Sequence, residues 1–159
     1  MRIEELLTRR ARDIVEEVSP AVACLEHYHR DGVEATRQRL EELHRAVAEA
    51  VRTRDVDGLV DHARRIAEER FAAGFTLAEV ERAFAELERA TARRLAAELP
   101  NGEVAWGVAL VATAFAHATE GLERSFASLA RPVTDLSAVF RRSGATKRER
   151  FSEELVHPI

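Results

Sequence analysis

Two apolar stripes, set on either side of Gly74-Phe75-Thr76, constrain this chain more than any other feature. Before the break, Val56, Leu59, Val60, Ala63, Ile66, Ala67 and Phe71 recur at three- and four-residue steps. After it, Leu77, Val80, Phe84, Leu87, Thr91, Leu95 and Leu99 do the same up to Pro100. Steps of three and four place side chains on one face of an α-helix, so both segments are predicted to be amphipathic helices. Asp55 or Asp57 is expected to cap the first, and Gly74 to supply its left-handed end. Thr76 and Glu79 have the spacing of a capping box, with Phe75 placed to staple onto Val80. The expected result is a helical hairpin with its two ridges side by side. Glu79, Glu81, Arg82, Glu86, Glu88, Arg89, Arg93 and Glu98 are read as the solvated face of its second helix.

The segment His62–Ala90 resembles the helical N-terminal domains of RsbRD-type stressosome regulators. Arg70, Gly74, Phe75, Leu77, Glu79, Val80 and Phe84 carry the resemblance; the flanking segments agree only in helix type and order. Related helical domains precede the effector regions of PucR/CdaR-like transcription regulators and of some sensor kinases. The resemblance implies a non-catalytic sensory or regulatory module of bacterial signal transduction. Such a module works through a regulatory protein partner, answers to a small-molecule signal and needs no cofactor. A longer effector domain normally follows in that family. The 159 residues leave no room for one, so the expectation is a truncated or free-standing version.

Composition agrees with helix nearly throughout. Seven glycines and four prolines are few breakers for 159 residues, and β-branched or aromatic residues never alternate in period-two runs. At this length one domain is expected. A net charge of −4 with 33% charged residues describes an ordinary solvated surface rather than a nucleic-acid binder. One cysteine, Cys24, excludes an internal disulfide and fits a reducing compartment. The charged, amphipathic start MRIEELLTRRARD lacks the pattern of a secretory leader. The longest apolar run, Val104 to Ala116, is too short for a bilayer span. A cytoplasmic protein without membrane contact is expected.

Elsewhere the chain offers three more helices. Ile3, Leu6, Leu7, Ala11, Ile14, Val15 and Val18 share one face. Ser19-Pro20 either starts a new helix or kinks a long one. The stripe resumes in phase at Val22, Leu25 and Tyr28, which favours the kink, with Asp31-Gly32 as the end. Val33 to Thr53 forms the next helix, with Val33, Thr36, Leu40, Leu43, Val47 and Val51 inward. Glu103 to Ala130 forms the last, and its first half is apolar nearly all round. Gly107, Ala114, Gly121 and Ser128 recur every seven residues and allow two backbones to approach closely, as a bundle-core face, a homodimer seam or both. Residues 132–159 read as a tail: two helical turns in DLSAVFRR, basic Arg141, Arg142, Lys147, Arg148 and Arg150, and a short amphipathic end. The basic segment is read as a solvated linker before a nucleic-acid contact.

The predicted architecture is therefore all-α. It is an up-and-down bundle of four to five helices, globin-like or four-helix-bundle in type, forming a helix-mediated homodimer. Residues 1–131 make the regulatory domain and 132–159 the linker. Candidate chemistry is sparse. Glu41 and His44 form one E-x-x-H unit, but a four-helix di-metal site needs two, and His117-Glu120 runs in reverse. Cys24 and His27 lie one turn apart without further ligands. His157 stands in a segment faintly similar to a sensor-kinase phosphoacceptor region, yet Pro158 breaks the spacing. No catalytic or metal residue is assigned. Phe71, Phe84, Trp106 and Phe115, with His117 as the polar group, are the candidates for lining a ligand pocket. The competing reading is a small-molecule- or metal-binding four-helix bundle with an enzymatic role.

Overall fold

Seven helices follow one another in the computed structural model, which describes residues 1–131. They are α1 Ile3–Arg9, α2 Ala11–Ala23, α3 Glu26–Asp31, α4 Val33–Thr53, α5 Asp57–Ala72, α6 Leu77–Glu98 and α7 Asn101–Leu129, and no strand occurs among the described residues. No helix among them is long and apolar enough to cross a membrane. The turns of DLSAVFRR, the basic residues from Arg141 to Arg150 and His157 lie outside the described residues.

The predicted turn chemistry is present in detail. Gly74 has φ +86°. Its amide donates to Phe71 O at 3.1 Å, while the Phe75 amide reaches Arg70 O at 2.9 Å. This double closure is a Schellman motif, which satisfies carbonyls that the helix end leaves free. Thr76 Oγ1 accepts from the Glu79 amide at 3.2 Å, and Glu79 Oε1 accepts from the Thr76 amide at 3.1 Å, completing the capping box. The start of α5 differs: its N-cap position is Val56, with no side-chain cap bond, and Asp55 Oδ1, one residue further out, accepts from the Asp57 amide at 2.9 Å.

The packing partners differ from the expected hairpin. Helices α5 and α6 share no sizeable interface; α7 packs on both of them. Helix α2 packs on α4 and α6, and α4 on α5, so contacts run in a ring α2–α4–α5–α7–α6. The turn at Gly74 sets direction, but α7 has the apolar face that fills the space between the ridges. Leu6, Leu7, Ile14, Val22, Leu59, Leu87, Leu95, Phe115 and Leu122 are fully enclosed at the centre. Each aliphatic side chain buried so completely contributes about 1.5–3 kcal/mol.

One further expectation changes, and the row of small residues takes one of its two alternatives. The N-terminal stripe is not interrupted at Ser19-Pro20. Pro20 lies inside α2 on its exposed side, while the buried Ser19 Oγ donates to Val15 O at 2.6 Å. The breaks fall at Arg10 and at Cys24-Leu25 instead. The row of small residues faces inward. A Cβ on Gly107 would meet Leu99 Cδ1 at 2.7 Å, and one on Gly121 would meet Val60 Cγ1 at 3.3 Å. Ala114 is buried as well, and Ser128 is exposed. Gly107, Ala114 and Gly121 therefore form a seam within the chain, and their surface is not free for a second copy. Helix α7 turns its other face outward, with Ala105, Trp106, Ala109, Thr113, Ala116 and His117 exposed.

Candidate ligand site around Phe75

The residue after the Schellman turn gathers an unusual set of polar groups. Phe75 is only 4% exposed, and the guanidiniums of Arg30, Arg39 and Arg70 lie 5.6, 5.5 and 5.7 Å from its ring centroid. Tyr28 meets it edge to face at 4.8 Å, and the His27 ring lies 5.3 Å away. A cation over an aromatic face is attracted by the ring quadrupole. Three cations on one ring also repel one another, so nearby acceptors must hold them.

Those acceptors come from α3 and the end of α5. Asp31 Oδ1 takes Arg30 Nε at 3.2 Å, and Asp31 Oδ2 lies 2.9 Å from Arg39 Nη1. That second contact is close but poorly aligned for a hydrogen bond, since Arg39 Nη1 has no hydrogen-bond partner. The close approach of Arg39, and then that of Arg30, still hold the Asp31 carboxyl below the usual carboxylate range against the opposing effect of burial. Arg30 Nη2 donates to Ala73 O at the end of α5, at 3.1 Å.

Glu79, read from sequence as half of a capping box and part of a solvated face, has a second role. Its Oε2 accepts from the His27 amide at 2.9 Å and its Oε1 from His27 Nδ1 at 2.6 Å. A carboxylate only accepts, so the proton of the ring contact sits on Nδ1. One carboxylate thus caps α6 locally and holds a first-turn amide of α3 from a distance. Burial alone would raise the Glu79 carboxyl; the His27 and Thr76 donors outweigh that and hold it low.

Arg70 is the outlier. It is 5% exposed, on the last turn of α5, and its one side-chain hydrogen bond runs from Nη1 to the exposed Glu69 Oε2 at 3.2 Å. Its Nε is buried without a partner. A buried guanidinium with unused donors is costly, because hydration lost on burial is not replaced. Burial pushes the neighbouring Tyr28 phenol upward, and the Arg70 charge offsets part of that. Arg39, Arg70, Gln38, Glu42, Glu69 and Ala73 line a polar cavity of about 320 Å³. His62 stands near, with burial and then Arg65 pushing its pKa down, and its Nε2 unpartnered.

The five residues expected to share a pocket are dispersed. Phe84 and Phe115 are 3% and 1% exposed within the core. Trp106 is 53% exposed on α7, with the Arg54 guanidinium 5.0 Å from its ring centroid, and His117 is exposed about three turns further on. Phe71 is 38% exposed and meets Phe126 edge to face at 5.8 Å. None of the five lines the cavity beside Arg70. His44 is buried at the α1–α4 contact, where its Nε2 donates to Leu7 O at 2.8 Å. It lines a second depression of about 290 Å³ with Leu7, Ala11, Val15 and Ala48. Among the described residues no three metal-ligating side chains converge. Within the sequence, Arg70 stood out only as part of the resemblance, and nothing marked Arg39.

Searches against protein-family models, curated proteins and solved structures find no match for this chain.

Proposed function

We propose that this chain is a non-catalytic regulatory module in which a change near Phe75 alters the packing of α7, and α7 hands that change to a protein partner. The observation that carries this reading is the Phe71–Phe126 contact. Phe71 follows Arg70 directly, so the residue beside the polar cavity is joined to one that packs on the last turn of α7. Helix α7 also rests on both α5 and α6, so a shift of either is felt along it. The similarity of His62–Ala90 to RsbRD-type domains supports a place in bacterial stress-response or transcription control, within the cytoplasm. The bundle of five longer helices, with the two short ones α1 and α3 at its N-terminal side, is the scaffold for that role.

The same reading includes a homodimer, built on the outward face of α7 rather than on its glycines. Trp106, Ala105, Ala109 and Ala116 offer an apolar strip of mostly small side chains that a second helix can approach closely. Sedimentation at micromolar concentration tests it: the full chain should run as a dimer and Trp106→Glu as a monomer. A wild-type monomer would remove the dimer from the proposal. A second reading, a small-molecule-binding helical bundle, is favoured by the cavity beside Arg70. The two readings join if the cavity holds the signal.

A further inference from the structure

We infer that the cavity between α4 and the end of α5 binds a small oxyanion, a carboxylate or phosphate group, through Arg70 and Arg39. Three observations place the chemistry. The cations belong to the enclosed wall, since the Arg70 side chain is 7% exposed and that of Arg39 26%. The two acidic lining residues stand outside: the Glu69 side chain is 73% exposed, and Glu42 is also exposed. Arg70 spends one donor, Nη1, on Glu69, and its Nε is buried without a protein acceptor among the described residues. Gln38 adds an exposed side-chain amide on the rim.

A guanidinium offers paired N–H groups spaced for two oxygens of one carboxylate or phosphate, and such charge-assisted pairs are the strong ones. The Arg39 guanidinium approaches from α4 and the Arg70 guanidinium from α5, so an oxyanion between them would be gripped by two helices. The ring of Phe75 backs both cations and keeps them in place. Glu42 and Glu69 at the mouth disfavour large polyanions and admit a compact group with one or two charges. The cavity volume of about 320 Å³ accommodates such a group with a short organic substituent. This site goes beyond the regulatory reading and stands without the dimer.

The test uses the full chain and three sodium salts at matched ionic strength: phosphate, acetate and chloride. Thermal unfolding and the NMR signals of arginine Nε–H groups are followed against salt concentration. A saturable rise in Tm with phosphate or acetate, accompanied by movement of the Arg70 signal, is expected; chloride should give neither. Preference for phosphate identifies a phosphate source, and preference for acetate a carboxylate one. Arg39→Gln should weaken binding about tenfold or more, as loss of a charged donor does, while Glu42→Gln should strengthen it. Arg70→Lys keeps the charge and removes the fork, and should bind as weakly as Arg39→Gln; if it does not fold, Arg39→Gln decides. Responses equal for all three salts, or an Arg39→Gln protein that binds as wild type does, would overturn the inference. Neither result would touch the sedimentation outcome for the dimer.

Discussion

Phe71 and Phe126 meet edge to face with their ring centroids 5.8 Å apart, fastening the last turn of α5 to the last turn of α7. Phe126 is 6% exposed and Phe71 38%, so the pair closes the core at that end rather than lying within it. Phe71→Ala should therefore cost about 1–2 kcal/mol, the aromatic pair term plus a partly buried ring. Urea unfolding checks this: the midpoint should fall with the slope unchanged. An unmoved midpoint would mean that the contact holds nothing.

The turn between α5 and α6 depends on conformation more than on space. Gly74 has φ +86°, and the nearest atom to an added Cβ is His27 Nε2 at 3.7 Å. Gly74→Ala should lose about 1–2 kcal/mol through backbone strain alone. Thr76→Ala should lose about 0.5–2 kcal/mol with the cap. Equilibrium unfolding of the two variants measures both, and a neutral Gly74→Ala would contradict the positive φ.

At Gly107 space decides. A Cβ there would stand 2.7 Å from Leu99 Cδ1 and 3.4 Å from Ile3 Cδ1. Gly107→Leu should therefore destabilise the monomer fold, by at least the roughly 1–3 kcal/mol typical of overpacking. Gly121→Ala meets Val60 Cγ1 at 3.3 Å, a milder approach, and should cost less. Unfolding measurements at two protein concentrations separate this from dissociation: a concentration-independent loss is expected.

Stability should fall as the solution turns mildly acid. In the unfolded chain His44 takes up its proton near pH 6.5, whereas in the folded chain burial keeps it neutral further down, against the opposing pull of the Leu7 carbonyl. Below that pH the unfolded state binds more protons, so stability rises with pH and is lost as pH falls through the window. His62 contributes in the same direction, through burial and then Arg65. His44→Gln, which keeps a donor for Leu7 O, should flatten the profile between pH 5 and 7. An unchanged slope would exclude His44 as its source.

Glu81 and Glu123 bring two carboxyls together between α6 and α7. Burial and then Glu123 raise the Glu81 pKa above 4.5. Its contribution is thus present at low pH and lost as pH rises through the raised value. Glu81→Gln should gain about 0.2–1 kcal/mol at pH 7, the scale of an exposed charge pair, and nothing at pH 4. Denaturant titration at both values tests it.

Features closed within one helical turn were legible in the sequence, and features closed across the fold were not. The Thr76–Glu79 box, the Gly74 turn and the span of α4 depend on neighbours three to six residues away. The second role of Glu79 depends on His27, 52 positions earlier, and no periodicity points to it. Gly107 and Gly121 announced a close approach, but not whether Leu99 and Val60 or another chain would fill it. Trp106 and Phe71 belong to apolar stripes by spacing. The enclosed face of α7 is centred on Gly107, Val111, Ala114 and Phe115, and the stripe of α5 drifts outward by Phe71. The candidate site was hardest to see, because Arg39 and Arg70 meet only after α4 and α5 have packed.

Communication between the polar cavity and α7 is measured most directly by amide hydrogen exchange over residues 121–129 in a two-by-two set of full-length chains: wild type, Arg39→Gln, Phe71→Ala and the double variant. Arg39→Gln should change protection in those turns of α7, and that change should vanish when Phe71 is already Ala. An Arg39→Gln effect of equal size in both backgrounds, or none in either, would contradict a path through Phe71 and Phe126.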